Sequence, residues 1–259
     1  MDIPGHSDRR QNLPKVNFTP FLQPIIYIAT GEIKGYEVLT RSKDVDNIED
    51  YFRTVSPAAG ASLTLNMLLK TIQRFKDSPV PLQFNLSARQ ICLNETVKML
   101  SQILATIDYP DNFLTCELVE YDDKHGQQLS SAMYHLSELG LRFSLDDFGT
   151  NSNSYQRLFN LPISQIKVDR FIIKDIADCE KQRFLAKHFI EMAPFFDDAE
   201  LVFEGIETES QRDEVNFLSK GRPILCQGYL FAKPKPFTQI DPKLKSISLN
   251  ANNLVNMPA

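Results

Sequence analysis

Between residues 23 and 231 the chain switches repeatedly between two hydrophobic periods, and that switching limits the folds open to it. Short apolar runs of strand character fall at 23–28, 35–39, 82–86, 114–119, 141–145, 165–168, 201–203 and 228–231. Between most of them the apolar residues recur at helical spacing, as in Leu65, Leu68, Leu69 and Ile72, or Leu100, Ile103, Leu104 and Ile107. The helix ending at Leu139 is followed by Gly140, suited to the left-handed residue after a helix, and Thr208 with Gln211 forms a capping box. Strand–helix alternation of this kind calls for parallel strands joined by helical crossovers. The stretch "IIYIATGEIKGYEVL" breaks the rule: its Thr-Gly turn leaves no room for a helix, so the first two strands form an antiparallel hairpin. The remaining strands can close as a barrel or stay open as a doubly wound sheet.

The chain has 259 residues, a size that one α/β barrel commonly fills. We expect a flexible arm over 1–19, one domain over 20–240 and a polar tail over 241–259. The balance of 28 basic and 33 acidic residues gives a net charge of −5, which argues against a nucleic-acid polymer as partner but leaves room for a small phosphate ligand. Cys92, Cys116, Cys179 and Cys226 are far apart, so neither a disulfide framework nor a zinc site is expected. No run reaches membrane-spanning length and "MDIPGHSDRR" has no apolar signal core, so the expectation is a cytoplasmic protein without a membrane partner.

Polar residues gather at the ends of the apolar runs: Glu37 in "GYEVLTR", Asn85 in "LQFNLS", Glu117 and Glu120 in "LTCELVE", Asp146 and Asp147 in "LRFSLDD". The series continues with Lys167 and Asp169 in "QIKVDR", Glu204 and Glu207 in "LVFEGIE", and Gln227 opening "QGYLF". Taken singly, Asp147 or Glu207 reads as a helix cap, Lys167 as a buried stem with a solvated head, and Asn85 as a turn residue. Taken together, they point to one place, since the C-terminal strand ends of a (β/α) barrel converge on a single mouth. Acids crowded there need cations, and Asp, Glu and Asn oxygens suit Mg²⁺ or Mn²⁺ rather than zinc. Asp146 and Asp147 are adjacent, so a regular strand would send them to opposite faces. Pairing is therefore expected to stop near Leu145. His188 is expected to be packed, His125 to lie in a loop, and residues 122–124 to be solvated.

These segments resemble the EAL domain family of bacterial cyclic di-GMP phosphodiesterases. The signature Glu-Ala-Leu reads Glu37-Val38-Leu39, and "FNLSARQ", "CELVE", "LDDFGT", "IKVDR", "FEGIETESQ" and "QGYLFAKP" follow in the family's order across residues 20 to 237. The resemblance implies a TIM-like (β/α)8 barrel whose first strand runs antiparallel. It implies hydrolysis of cyclic di-GMP to linear pGpG with two Mg²⁺ or Mn²⁺ ions, Ca²⁺ being inhibitory, and hence a part in biofilm and motility signalling. It assigns metal binding to Glu37, Asn85, Glu117, Asp146 and Asp147, with Lys167 and Glu204 joining Glu37 and Asp147 in catalysis. Gln227 would hold water at the metals, Glu120 and Glu207 would support the site, and Gln23, Arg41 and Asp169 would contact substrate. A homodimer and a regulatory protein partner are also implied. Val38 stands in place of the signature alanine, Val119 in place of threonine, and Asn151 in place of the second glycine of the loop after Asp147. That loop is the ground for an alternative: a weak or inactive EAL domain serving as a cyclic di-GMP receptor or protein-binding regulator. A barrel acting on another phosphate ester is the third reading.

Overall fold

The computed structural model describes residues 16–119, 126–150 and 155–249. β1 (Phe18–Tyr27) and β2 (Ile33–Ser42) form the expected antiparallel hairpin, longer than the apolar runs alone suggest, with Gln23 opposite Glu37. The turn between them uses Gly31 at φ +72°, a left-handed conformation that suits glycine. After α1 (Ile48–Thr54), α2 (Pro57–Phe75) leads to β3 (Leu82–Ser87), and α3 (Ala88–Ile91) and α4 (Asn94–Thr106) lead to β4 (Leu114–Val119). The rest alternates singly: α5 (Gly126–Glu138), β5 (Arg142–Phe148), α6 (Tyr155–Asn160), β6 (Gln165–Val168), α7 (Glu180–Met192), β7 (Glu200–Phe203), α8 (Glu209–Ser219) and β8 (Leu225–Cys226). β2 through β8 are parallel neighbours in chain order, and β1 lies antiparallel between β8 and β2, closing an eight-stranded barrel. A short β9 (Lys235–Pro236) adds to the other end of β1.

Local sequence explains the starts and stops. Ser56 caps α2 ahead of Pro57, whose missing N–H costs nothing at a first turn. Ser87 with Gln90, and Thr208 with Gln211, make complete capping boxes on α3 and α8. Gly140 takes φ +90° after α5.

Period-two alternation divides the interior. On β3, Leu82, Phe84 and Leu86 are fully buried and join the large apolar cluster between sheet and helices. Gln83 and Asn85 face the barrel axis, where Gln83 Nε2 donates to Gln165 Oε1 at 2.8 Å across the barrel. Ile25, Val202 and Leu225 form a separate small apolar cluster. Each stands two residues from Gln23, Glu204 or Gln227 and so shares its inward face, which places this cluster one layer below the mouth.

Two expectations need correction. Residues 228–231 do not form the last strand; that strand is β8, just upstream, and the chain turns at Gly228. The cause is a backbone crossing, because Ile206 N–H donates to Gln227 O at 3.1 Å and a Cβ on Gly228 would lie 2.0 Å from Ile206 O. His188 is exposed rather than packed, and its Nε2 lies 2.9 Å from the Tyr155 hydroxyl. Residues 241–249, read as part of a polar tail, run along the floor of the barrel. Ile33 N–H donates to Lys245 O, Ile247 N–H to Gly31 O, and Arg212 to Leu249 O. None of the described helices is long and apolar enough to cross a membrane.

Candidate active site

The inward positions at the top of the barrel are all polar, and they are arranged around one lysine. Lys167 on β6 is 1% exposed, and its Nζ lies 2.7 Å from Glu117 Oε1 on β4 and 2.7 Å from Glu204 Oε1 beyond β7. Glu37 Oε2 and Asp146 Oδ1 stand at 3.7 and 3.8 Å from the same nitrogen. A buried ammonium is costly, and burial pulls its pKa down; the four carboxylates outweigh that and hold it well above its usual value. Lys167 is therefore charged throughout the physiological range.

The acids are less evenly served. Burial pushes the Glu37 carboxyl up, but Lys167 and the amides of Asn85 and Gln227 outweigh it, and the group sits below the usual range. Asn85 Nδ2 donates to Glu37 Oε1 at 2.9 Å and Gln227 Nε2 to Glu37 Oε2 at 2.8 Å. Glu117 is pushed well above the usual range by burial, and neighbouring Glu37, Asp146 and Glu204 add to the effect against Lys167. Glu204 is pushed up to about 8, by burial first and then by Asp146 and Glu37.

The paired aspartates solve their geometric problem with an irregularity. Pairing of β5 with β6 runs through Leu145, skips Asp146 and Asp147, and resumes at Phe148 opposite Val168. Asp147 takes φ +51°, a conformation that aspartate tolerates better than most residues. The reversal lets both acids serve one place: oxygens of Asp146, Asp147 and Glu204 all lie within 4.8 Å of one another. Asp147 is pushed up to about 6 by burial and by Asp146 and Asp169.

Four carboxylates thus stand around one ammonium and Asp147 adjoins two of them, a formal excess of four negative charges. Asn85 Oδ1, Glu117 Oε2 and Gln227 Oε1 are buried and receive no hydrogen bond from the described residues. Oxygen donors without partners, beside crowded acids, fit hard divalent cations, and two such ions would balance the excess.

The other expected residues take distinct places. Gln23 is buried beside Glu37, with Nε2 donating to Ala232 O. Arg41 donates to Thr40 O and lines a neighbouring recess on the rim, from where its charge still lowers Glu37. Asp169 caps the turn Arg170–Ile172 by accepting from Phe171 N–H at 2.7 Å. Glu207 stands at the outer wall, 3.7 Å from Arg170. Glu120, His125 and residues 151–154 fall outside the described residues. The sequence reading missed Arg170 and Tyr229, which line the cavity of about 190 Å³ that opens outward from Glu37, Glu204 and Gln227. The available signal was position: Arg170 directly follows Asp169 in "KVDR", and Tyr229 lies in "QGYLF".

The geometry defines an acid-lined (β/α)8 barrel with its site at the strand C-termini. Residues 6–234 match the EAL domain, and the chain belongs to the EAL domain family. It is 29% identical over 172 residues to the cyclic di-GMP phosphodiesterase PdeR of Escherichia coli, a match covering 65% of this chain and 25% of PdeR. It is 24% identical over 246 residues to the cyclic di-GMP phosphodiesterase RocR of Pseudomonas aeruginosa, covering 91% of this chain and 62% of RocR. The chain thus spans a quarter of PdeR and less than two thirds of RocR. Among solved structures, an EAL domain protein from Listeria monocytogenes superimposes with TM-score 0.75 at 21% identity, covering 85% of this chain and 90% of that one. BlrP1 of Klebsiella pneumoniae, solved with manganese and cyclic di-GMP, gives TM-score 0.75 at 20% identity, covering 88% of this chain and 58% of that one. These two likenesses establish the barrel.

Proposed function

We propose that this protein hydrolyses cyclic di-GMP to linear pGpG and depends on two Mg²⁺ or Mn²⁺ ions. The observation that carries the reading is the mouth itself: four carboxylates on one buried lysine, a fifth from Asp147 beside them, and unpartnered oxygens of Asn85 and Glu117. The relatives named as cyclic di-GMP phosphodiesterases supply the substrate class.

Glu37, Asn85, Glu117, Asp146 and Asp147 are the residues that would hold the ions. When bound, the ions would neutralise phosphoryl charge and lower the pKa of a water at the site. The remaining work falls to the chain. Lys167 stays charged and lends its ammonium to negative charge building on the phosphodiester. Glu37 is locked by two amides, so its oxygens keep their direction when a ligand enters. Glu204 lines the cavity and, once it has lost the proton that burial favours, would take a proton from attacking water. Gln227 has one unpartnered amide oxygen at the same end, suited to accept from that water. Gln23, Arg41 and Asp169 flank the opening as substrate contacts. Ca²⁺ accepts looser geometry and does not support turnover.

Purified protein incubated with cyclic di-GMP and Mg²⁺ or Mn²⁺, with nucleotides then resolved by chromatography, tests this. Formation of pGpG that disappears with chelator is the expected result. Nucleotide binding without cleavage would replace the enzyme by a receptor, and binding of neither nucleotide nor metal would point to a protein partner.

A further inference from the structure

The layer one step below the mouth is apolar on one side only. Ile25, Val202 and Leu225 fill the half next to β1, β7 and β8. The other half is polar. Gln83, Thr115, Ser144 and Gln165 stand two residues before Asn85, Glu117, Asp146 and Lys167, on β3, β4, β5 and β6, and period two gives them the same inward face. All four are buried, and Ser144 is 0% exposed. Strand register joins them in pairs, Gln83 opposite Thr115 and Ser144 opposite Gln165. The hydrolytic chemistry proposed above uses none of them.

Two atoms of this group receive no hydrogen-bond partner from the described residues: Gln83 Oε1 and Ser144 Oγ. Both are brought toward Gln165. Gln83 spans the barrel to donate from Nε2 to Gln165 Oε1 at 2.8 Å, and its Oε1 belongs to the same amide. Ser144 flanks Gln165 on the neighbouring strand. Buried polar groups left unmet are rare in native interiors, because the hydrogen bonds they made to solvent are lost without replacement. The two groups complement one molecule. Gln83 Oε1 only accepts, and the Ser144 hydroxyl donates and accepts, so a water can donate to the amide oxygen and accept from the hydroxyl. A divalent cation has less to gain here. The acids around Lys167 lie one layer higher, and Glu200 below is already paired with Lys34 and Arg142.

We propose that the polar half of this layer is a binding site for ordered water, with one molecule joining Ser144 Oγ to Gln83 Oε1. The two residues sit on β5 and β3, with β4 between them, so the water ties three strands together from inside the barrel. It does so directly beneath the strand ends that carry Asn85, Glu117 and Asp146. The site stands whether or not the hydrolase reading holds.

A crystal structure of the wild type locates the molecule, and magnetic relaxation dispersion of the water signal counts long-lived internal waters in solution. Density within hydrogen-bond distance of both atoms is the expected result. Ser144→Thr and Ser144→Val then differ by a hydroxyl at nearly constant shape. The threonine variant should keep the wild-type water count. The valine variant should lose one molecule and melt about 2–8 °C below the threonine variant, since Gln83 Oε1 is left unmet. In a Gln83→Met background that difference should fall by about half or more, because the acceptor across the water is gone. Equal water counts and equal melting for threonine and valine would overturn the proposal. So would wild-type density that is absent between the two atoms, a result that stands even if no variant folds. Density ringed by about six oxygens would mark a cation and overturn it as well.

Discussion

The two ends of the barrel treat their carboxylates in opposite ways. At the floor, Glu200 has a cation for each oxygen: Lys34 Nζ at 2.7 Å on Oε1 and Arg142 Nη2 at 2.7 Å on Oε2. Burial pushes Glu200 up, but the two cations outweigh it and hold its carboxyl below the usual range. At the mouth, Lys167 is the one ammonium among several acids in the described residues, and Glu117, Glu204 and Asp147 are pushed up instead. The floor is balanced by the protein alone, and the cluster ties β2, β5 and β7 together. The mouth is left unbalanced, which is expensive in stability and useful only where something else supplies positive charge.

The contrast can be broken by mutation. Glu37→Ala should lower kcat by on the order of 10³-fold or more, since it removes a proposed ion ligand and the anchor of two amides. Its fold should survive, and activity with melting temperature measured on the same sample checks both. Glu200→Gln should do the reverse. It leaves Lys34 and Arg142 without their acid and should cost about 1–3 kcal/mol in denaturant unfolding, with KM for cyclic di-GMP unchanged. If Glu200→Gln abolished catalysis while leaving stability intact, the division of labour would be wrong.

A third test neutralises one acid at the mouth. Glu117→Gln should raise the melting temperature of chelated protein, because it removes a carboxylate that burial and its neighbours disfavour. The same change should reduce the stabilisation gained on adding Mn²⁺.

Acidity separates the two ends more gently. In chelated protein, Glu204 at about 8 and Asp147 at about 6 bind protons that the unfolded chain has released. Stability contributed by the mouth is therefore full below the unfolded carboxylate range and falls as pH rises toward 8. Glu200 has the opposite sign: its contribution is present above the unfolded value and is lost as pH falls through its lowered folded pKa. Melting temperature against pH should show the alkaline decline with chelator, flattened by saturating Mn²⁺, and Glu200→Gln should reduce only the acid-side loss.

Much of the mouth could be read from the sequence because period two puts every second residue on one face. That is enough to bring Glu37, Asn85, Glu117, Asp146 and Lys167 inward once the strands close. The floor was not legible, since Glu200 meets Arg142 from 58 residues away and no local pattern records the pair. Lys34 lies close to Glu37 in the sequence, yet it serves the other end of the barrel. The last strand was misplaced for a related reason. "GYLF" has strand composition, but the crossing of Gly228 over Ile206 turns the chain there. The left-handed Asp147 was equally hidden, although two adjacent acids ending a strand signalled that something irregular had to occur.

Titration of chelated protein with Mn²⁺ in a calorimeter, with cyclic di-GMP present, measures the imbalance at the mouth most directly. The account predicts two ions bound per chain, with binding weakened in Glu117→Gln and unchanged in Glu200→Gln. No uptake of Mn²⁺, or uptake indifferent to Glu117, would contradict it.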